Sequence, residues 1–418
     1  MRVGIEVALS DHLDATQPNS QRQAAISVFA LSEAASGRSA PLNLCLVLDH
    51  SGSMRGQPLD TVKQAAQELV AKLETNDRLS IIAFDHEAKV LVPNQPVNDR
   101  AEISFQISKL KGAGGTNIDA GMKLGITEAA KGKEGTVSQM LMLTDGENEH
   151  GDNDRCLKLA QVATEHSLTI NTLGFGDHWN QDILEKIADA GGGTLAYIAT
   201  PDIAVTEFDR LFSRAQSVGL TNAYLLLNLA PSTRLAEMKP MAQVAPDTIE
   251  LPVVQEGDVA TVRLGDLMVE PRVILANLYF DQLPSGQHVV ATAQIRYDDP
   301  ATGRTGLLSD PYPIAVAVDT TYSAQLNPQV QPHILALAKY RQTQIAETKL
   351  LQGDRSGAAT MLQTAAQTAL QMGDQSGATV LQESATRLQS GEELTERDRK
   401  QTRIASKTVL GIPEQPKE

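Results

Sequence analysis

Near the N-terminus, Val3, Ile5, Val7 and Leu9 alternate with Gly4, Glu6 and Ala8, the period-two pattern of a half-buried strand. Residues 24–31 read the same way. So do 223–229, 259–264, 272–279, 288–297 and 313–318, which are separated by turn material such as Leu283-Pro284-Ser285-Gly286 and Asp299-Pro300-Ala301-Thr302-Gly303. Strands at this spacing without helices between them predict a β-sandwich. The middle of the chain has a different rhythm. Residues 42–48 are almost all apolar, as in a parallel strand buried on both faces. Leu59, Val62, Ala66, Leu69, Val70 and Leu73 then follow a helical period. Strands over 79–84, 140–143, 169–175 and 195–198 alternate with helices over 118–130, 156–165, 181–190 and 202–215, a doubly wound α/β pattern.

From about residue 323 the chain is rich in Ala, Gln and Leu, with no strand pattern. Gly353-Asp354-Arg355-Ser356-Gly357-Ala358 recurs as Gly373-Asp374-Gln375-Ser376-Gly377-Ala378, each copy offering a helix stop, a cap and a new helix. A helical hairpin or bundle is expected. The expected layout is therefore N-terminal sandwich strands (1–37), an α/β domain (38–216), the remainder of the sandwich (217–322), a helical region (323–410) and a flexible tail (411–418). In that layout the α/β domain is inserted into the sandwich.

Composition narrows the function classes. Hydrophobic residues are 41% and charged residues 21% of the 418, ordinary globular usage. Net charge is −15, which argues against a nucleic-acid backbone binder. Aromatic residues, at 4%, are too few for a base-stacking platform. Two cysteines, Cys45 and Cys156, make no disulfide framework, and no signal peptide or membrane span is readable, so a cytoplasmic protein is expected. The tail holds 11 basic and 10 acidic residues, and this near-neutrality predicts docking by apolar packing rather than by charge.

The chemistry concentrates in three loops. Asp49-His50-Ser51-Gly52-Ser53 ends the first buried strand, at the sheet edge where open α/β folds bind ligands. Lys111-Gly112-Ala113-Gly114-Gly115-Thr116-Asn117 leads into a helix. Leu143-Thr144-Asp145-Gly146 ends another buried strand. Carboxylates and hydroxyls without thiolate or required imidazole suit a hard cation: Mg²⁺, and less strictly Mn²⁺ or Ca²⁺.

In this order, DxSxS at 49–53, Gly-Gly-Thr-Asn at 114–117 and Thr-Asp-Gly at 144–146 resemble a von Willebrand factor A domain. The likeness covers about 38–216, and Met54, Gly56, Gly174-Phe175-Gly176 and Gly191-Gly192-Gly193 fit it too. The resemblance implies a metal-ion-dependent adhesion site with Asp49, Ser51, Ser53, Thr116 and Asp145 as ligands. It also implies a partner protein that supplies an Asp or Glu carboxylate as the remaining ligand.

Other candidates are weaker. His50 alone makes no zinc site and reads as a neutral surface histidine. The α/β-hydrolase elbow and the phosphate-binding P-loop are absent, which argues against an enzyme. Glu147, Glu149, Asp152 and Asp154 read as a solvated acidic rim; a partner filter at Glu147 and Glu149, or a second Ca²⁺ site, is the sharper alternative. Trp179, the only tryptophan, is either packed against a helix or a contact residue beside the metal. The leading functional expectation is a non-catalytic, Mg²⁺-dependent protein-binding and assembly module. An accessory subunit of an AAA+ ATPase or chelatase-like machine is second, and a metal-dependent hydrolase third.

Overall fold

The computed structural model describes residues 1–31 and 40–407. The expected flexible tail, 411–418, and the expected boundary after residue 37 lie outside the described residues. Three strands come first: β1 (Arg2–Leu9), β2 (Leu13–Asp14) and β3 (Asn19–Leu31). Next follow β4 (Leu42–Asp49), α1 (Gln57–Lys72), β5 (Arg78–Phe84), β6 (Ala88–Pro96), α2 (Arg100–Ser108), α3 (Ile118–Ala130) and β7 (Val137–Thr144). The α/β region then continues through α4 (Asn153–Glu165), β8 (Leu168–Phe175), α5 (Gln181–Gly191), β9 (Gly192–Ile198) and α6 (Pro201–Gln216).

Its sheet has the order β6-β5-β4-β7-β8-β9, all parallel except the edge strand β6. Alternate residues of β4 serve opposite faces. Leu42, Leu44, Leu46 and Leu48 join α1, α2 and α6 in one core, while Cys45 and Val47 join α3, α4 and α5 in the other. This is why the strand carries no polar alternation. β5 follows β4 on one side and β7 lies on the other, so the strand order reverses at β4. The crevice above its carboxyl end is the ligand position of an open α/β sheet.

Beyond the α/β region come β10 (Val218–Leu229), β11 (Thr233–Leu235), β12 (Met241–Ala245), β13 (Ile249–Glu250), β14 (Val253–Glu256) and β15 (Val259–Met268). They are followed by β16 (Arg272–Asp281), β17 (Gly286–Asp299), β18 (Arg304–Leu308) and β19 (Tyr312–Asp319). One sheet has the order β1-β3-β16-β12-β13 and the other β14-β15-β10-β17-β19-β2. Strands from before and after the α/β region thus share both sheets. β3 pairs with β16 over ten residue pairs, from Arg272↔Val28 to Asp281↔Asn19. The inner faces of the two sheets meet in one core, with Ile26 and Ile274 from one sheet and Leu225 and Ile295 from the other. Gly4 lies opposite Phe29 in the ladder, and the Phe29 ring fills the space a Cβ at Gly4 would need.

Four helices end the described chain: α7 (Gln331–Leu351), α8 (Arg355–Gln371), α9 (Gln375–Gln389) and α10 (Glu396–Lys407). The two sequence repeats are one turn used twice. Gly353 and Gly373 take φ +80° and +78°, and Asp354 and Asp374 cap α8 and α9 through Gly357 N and Gly377 N, both at 2.8 Å. Small residues, among them Ala358, Ala365, Ala369, Ala378 and Ala385, let these helices pack closely. The charge-based expectation for docking holds for α7, whose Ala336, Leu337 and Tyr340 meet Val244 and Leu275 of the first sheet. It fails for α10, which is held by ion pairs to α5. A net charge sums over the whole tail and is blind to a stripe of like charges on one helix. None of the described helices is long and apolar enough to cross a membrane.

Candidate metal centre

Asp49 closes β4, and Asp145 follows the last residue of β7, the strand paired with it in parallel. The two carboxylates therefore emerge side by side at the switch point. After Asp49 the chain makes a short 3-10 turn, Gly52–Met54, which brings Ser51 and Ser53 back over the strand end. Their hydroxyl oxygens lie 3.0 Å apart, and the Ser53 hydroxyl donates to Asp145 Oδ1 at 2.8 Å. Ser51 Oγ is 3.5 Å from the same oxygen.

The glycine loop is stitched onto this turn. Gly52 N donates to Gly114 O at 2.9 Å and Ala113 N to His50 O at 2.8 Å. Gly114 sits at φ +74°, where a side chain would be strained. Asn117 caps α3 by accepting from Ala120 N at 3.1 Å, which sets Thr116 just outside the helix. Thr116 is buried, its Oγ1 3.2 Å from the point where a Cβ on Gly146 would stand. All five expected ligands thus belong to three loops that meet at one sheet edge.

Thr144, quoted in the motif but given no role from sequence, donates to Asp49 Oδ2 at 2.6 Å. Ser51 N donates to Asp49 Oδ1 at 2.8 Å. Burial raises the Asp49 pKa to about 6 and the nearby Asp145 charge adds to the rise, against the hydrogen bonds from Thr144 and Ser51. Burial also raises Asp145, opposed by the hydroxyls of Ser53 and Ser51 and by His178. Two crowded carboxylates with hydroxyl oxygens beside them form a donor set that fits a hard divalent cation. No group of three or more His, Cys, Asp or Glu side chains poised for a metal occurs among the described residues, so a cation held here would need hydroxyl ligands as well.

Several other expected residues fall elsewhere. His50 is buried rather than on the surface; its Nδ1 lies 3.1 Å from Lys111 O, and burial lowers its pKa. Asp152 is committed to capping α4, accepting from Asp154 N and Arg155 N. Glu147 and Glu149 are exposed on the loop after Asp145. Asn148 and Asp119, neither singled out in the sequence, pin that loop to α3: Ile118 N donates to Asn148 Oδ1 at 2.8 Å and Asp152 N to Asp119 Oδ1 at 3.0 Å.

Of the two readings open for Trp179, the structure shows the packed one. It is only 2% exposed, its Nε1 donates to Gly176 O at 2.7 Å, and its ring occupies the space above Gly174. Lys400 of α10 covers it, with Nζ 4.3 Å from the ring centroid. A cleft of about 370 Å³ lies beside it, lined by Glu147, Leu350, Leu362, Leu394 and Arg399 among others.

Residues 43–210 match the von Willebrand factor type A domain family, and residues 328–412 match the Sll0103-like, C-terminal alpha-helical domain family. The chain is 61% identical to protein sll0103 of Synechocystis sp. over the full length of both. A solved von Willebrand factor type A protein from Catenulispora acidiphila superposes with TM-score 0.81 at 17% identity, covering 98% of this chain and 97% of that one. The ArnB paralog VWA2 from Sulfolobus acidocaldarius gives 0.57 at 16%, covering 97% of each chain. These two structures show a shared fold.

Proposed function

This chain belongs to the Sll0103-like family of von Willebrand factor type A proteins, and from that premise we propose that it is a divalent-cation-dependent protein-binding module. The site consists of Ser51, Ser53 and Thr116 as hydroxyl ligands, with Asp49 and Asp145 as the charged ones. The observation that carries the reading is the convergence of Ser51, Ser53 and Asp145 oxygens within hydrogen-bonding range at the ends of two adjacent strands. When bound, Mg²⁺ supplies an electrophilic centre able to take one further oxygen ligand, and Mn²⁺ or Ca²⁺ would do the same. The protein's own contribution is orientation. Both Asp49 oxygens are held, by Ser51 N and Thr144 Oγ1, so that carboxylate charges the site from a fixed position. Ser53 is exposed and Asp145 half-buried, which leaves the site open on the side from which a partner's Asp or Glu would approach. The reading is one of binding without turnover, in the cytoplasm.

Mn²⁺ binding tests the site directly, because the free ion has a paramagnetic signal that is lost on binding. The wild-type chain should take up one Mn²⁺, displaced by Mg²⁺, and the Ser51→Ala/Asp145→Ala variant should take up none. Equal uptake by both refutes the site. A partner captured by the wild type should be lost on chelation and lost with that variant as bait.

A further inference from the structure

Helix α10 docks without the apolar face that usually holds a helix. Its sequence, Glu396–Lys407, includes only Ile404 and Ala405 as apolar residues. Instead Lys400, Arg403 and Lys407 recur at i, i+3 and i+7, one face of the helix. Facing them, α5 presents Asp182, Glu185 and Asp189 at the same spacing. Arg403 bonds Asp182, and its Nε lies 2.6 Å from Glu185 Oε2. Lys407 Nζ is 2.6 Å from Glu185 Oε1 and 2.9 Å from Asp189 Oδ2. Lys400 reaches past α5 to donate to the backbone carbonyl of Asp177 and to cover Trp179.

The same helix ties together the rest of the molecule. Thr248 N, between β12 and β13, donates to Lys407 O at 2.9 Å. Thr402 meets Ser384 of α9 at 2.8 Å, and Asp398 pairs with Arg387 at 3.1 Å. Asp177, His178 and Trp179 form the loop between β8 and α5, on the sheet edge that carries Asp49 and Asp145, and His178 acts electrostatically on Asp145. One helix therefore clamps the flank of the candidate metal face to both other parts of the protein.

Desolvating charges offsets much of what pairing them gains, so an ionic contact holds less tightly than its contact list suggests. The Arg403 Nε–Glu185 Oε2 contact is close but off the hydrogen-bond line, and Gln181 Nε2 and Thr248 Oγ1 are buried there without a partner. A void of about 40 Å³ remains among Gln181, Glu185, Thr248's neighbour Asp247 and Arg403. Burial alone would lower Lys407; Asp189 and Glu185 outweigh it and push its pKa up to about 12, so the lysine stays charged in the closed position.

We propose that α10 is an ionic latch: closed, it holds the β8–α5 loop beside the candidate metal face; released, it exposes Trp179 and the Asp182–Glu185–Asp189 stripe as a surface for a basic helix. The inference does not rest on metal binding. A partner helix bearing Lys or Arg at i, i+3 and i+7 has the chemistry to displace α10.

Because Trp179 is the only tryptophan, its fluorescence reads the latch without ambiguity. In the full chain, acrylamide should quench Trp179 poorly at low ionic strength. Arg403→Glu/Lys407→Glu should lose the protection at low salt. Adding Asp182→Lys, Glu185→Lys, Asp189→Lys and Glu347→Lys to that variant should restore it, by reversing the carboxylates that face positions 403 and 407 from α5 and α7. Full protection in a folded Arg403→Glu/Lys407→Glu variant overturns the latch. Should that variant fail to fold, the charge-swapped chain decides: recovered folding and protection support the pairing, and failure to recover overturns it.

Discussion

The Ser53 hydroxyl donates to Asp145 Oδ1 at 2.8 Å, joining two loops that are 92 residues apart in the chain. This contact is where the candidate metal centre closes, and its chemistry sets the first prediction. Mg²⁺ should raise the melting temperature of the wild type, with a stabilisation of about 2.7 kcal/mol at a concentration one hundred times Kd. Ser51→Ala/Asp145→Ala should show no rise. Thermal scans with and without chelator check both.

Thr144→Val should separate the metal site from the fold. It removes the 2.6 Å hydrogen bond to Asp49 Oδ2 while keeping the buried shape. The stability loss should be about 1–3 kcal/mol, the cost of an unsatisfied buried acceptor. Metal affinity should fall by roughly 10- to 100-fold, as for other groups that orient a ligand. Urea unfolding and Mn²⁺ titration on one sample give the two numbers.

The duplicated turn offers an internal control in the helical region. Lys339 is fully buried and pairs with the cap Asp374 at 2.8 Å, whereas Lys349 pairs with the equivalent cap Asp354 at 2.7 Å near the surface. Lys339→Ala should cost about 3–5 kcal/mol, because it strips a buried carboxylate of its counter-charge. Lys349→Ala should cost about 1 kcal/mol or less. Equal losses in denaturant midpoints would contradict the difference in burial.

His333, in the first turn of α7, has its pKa lowered by burial below the ordinary 6.5. Its contribution to stability is therefore complete above about pH 6.5 and is lost as the pH falls toward the folded-state value, where the unfolded chain binds more protons. His333→Gln should flatten that part of the profile. Unfolding free energies at pH 7.5 and 5.5, compared between wild type and variant, isolate it from His50, which shifts in the same direction.

Much of the α/β region was legible because its signals are local. The apolar run at 42–48 and the helical period through Leu59, Val62 and Leu69 depend only on burial geometry, and they mark β4 and α1 to within a residue or two. The edge elements were not legible. β6 leaves Val90 exposed and buries Val92, while α2 buries only Ile103 and Ile107. An element covered on one side by a thin layer carries too few constrained positions to show a period. The helical region was legible as a hairpin or bundle, but the number of its helices was not, although its turn was visible twice. A repeat of twenty residues states the turn but not which face of each helix packs.

The sequence by itself determined which oxygen donors stand in each loop: Asp49, Ser51 and Ser53 in one, Thr116 in another and Asp145 in the third. It also determined which strands are buried on two faces, through the absence of polar positions. Only the tertiary structure decided that Thr144 orients Asp49 and that Trp179 is sealed rather than presented. It also decided that α10 docks by its charge stripe. Each of these depends on what a distant segment brings to the same place. A near-neutral count hides a basic face, and a lone tryptophan looks the same in sequence whether or not Lys400, more than two hundred residues later, lies over its ring.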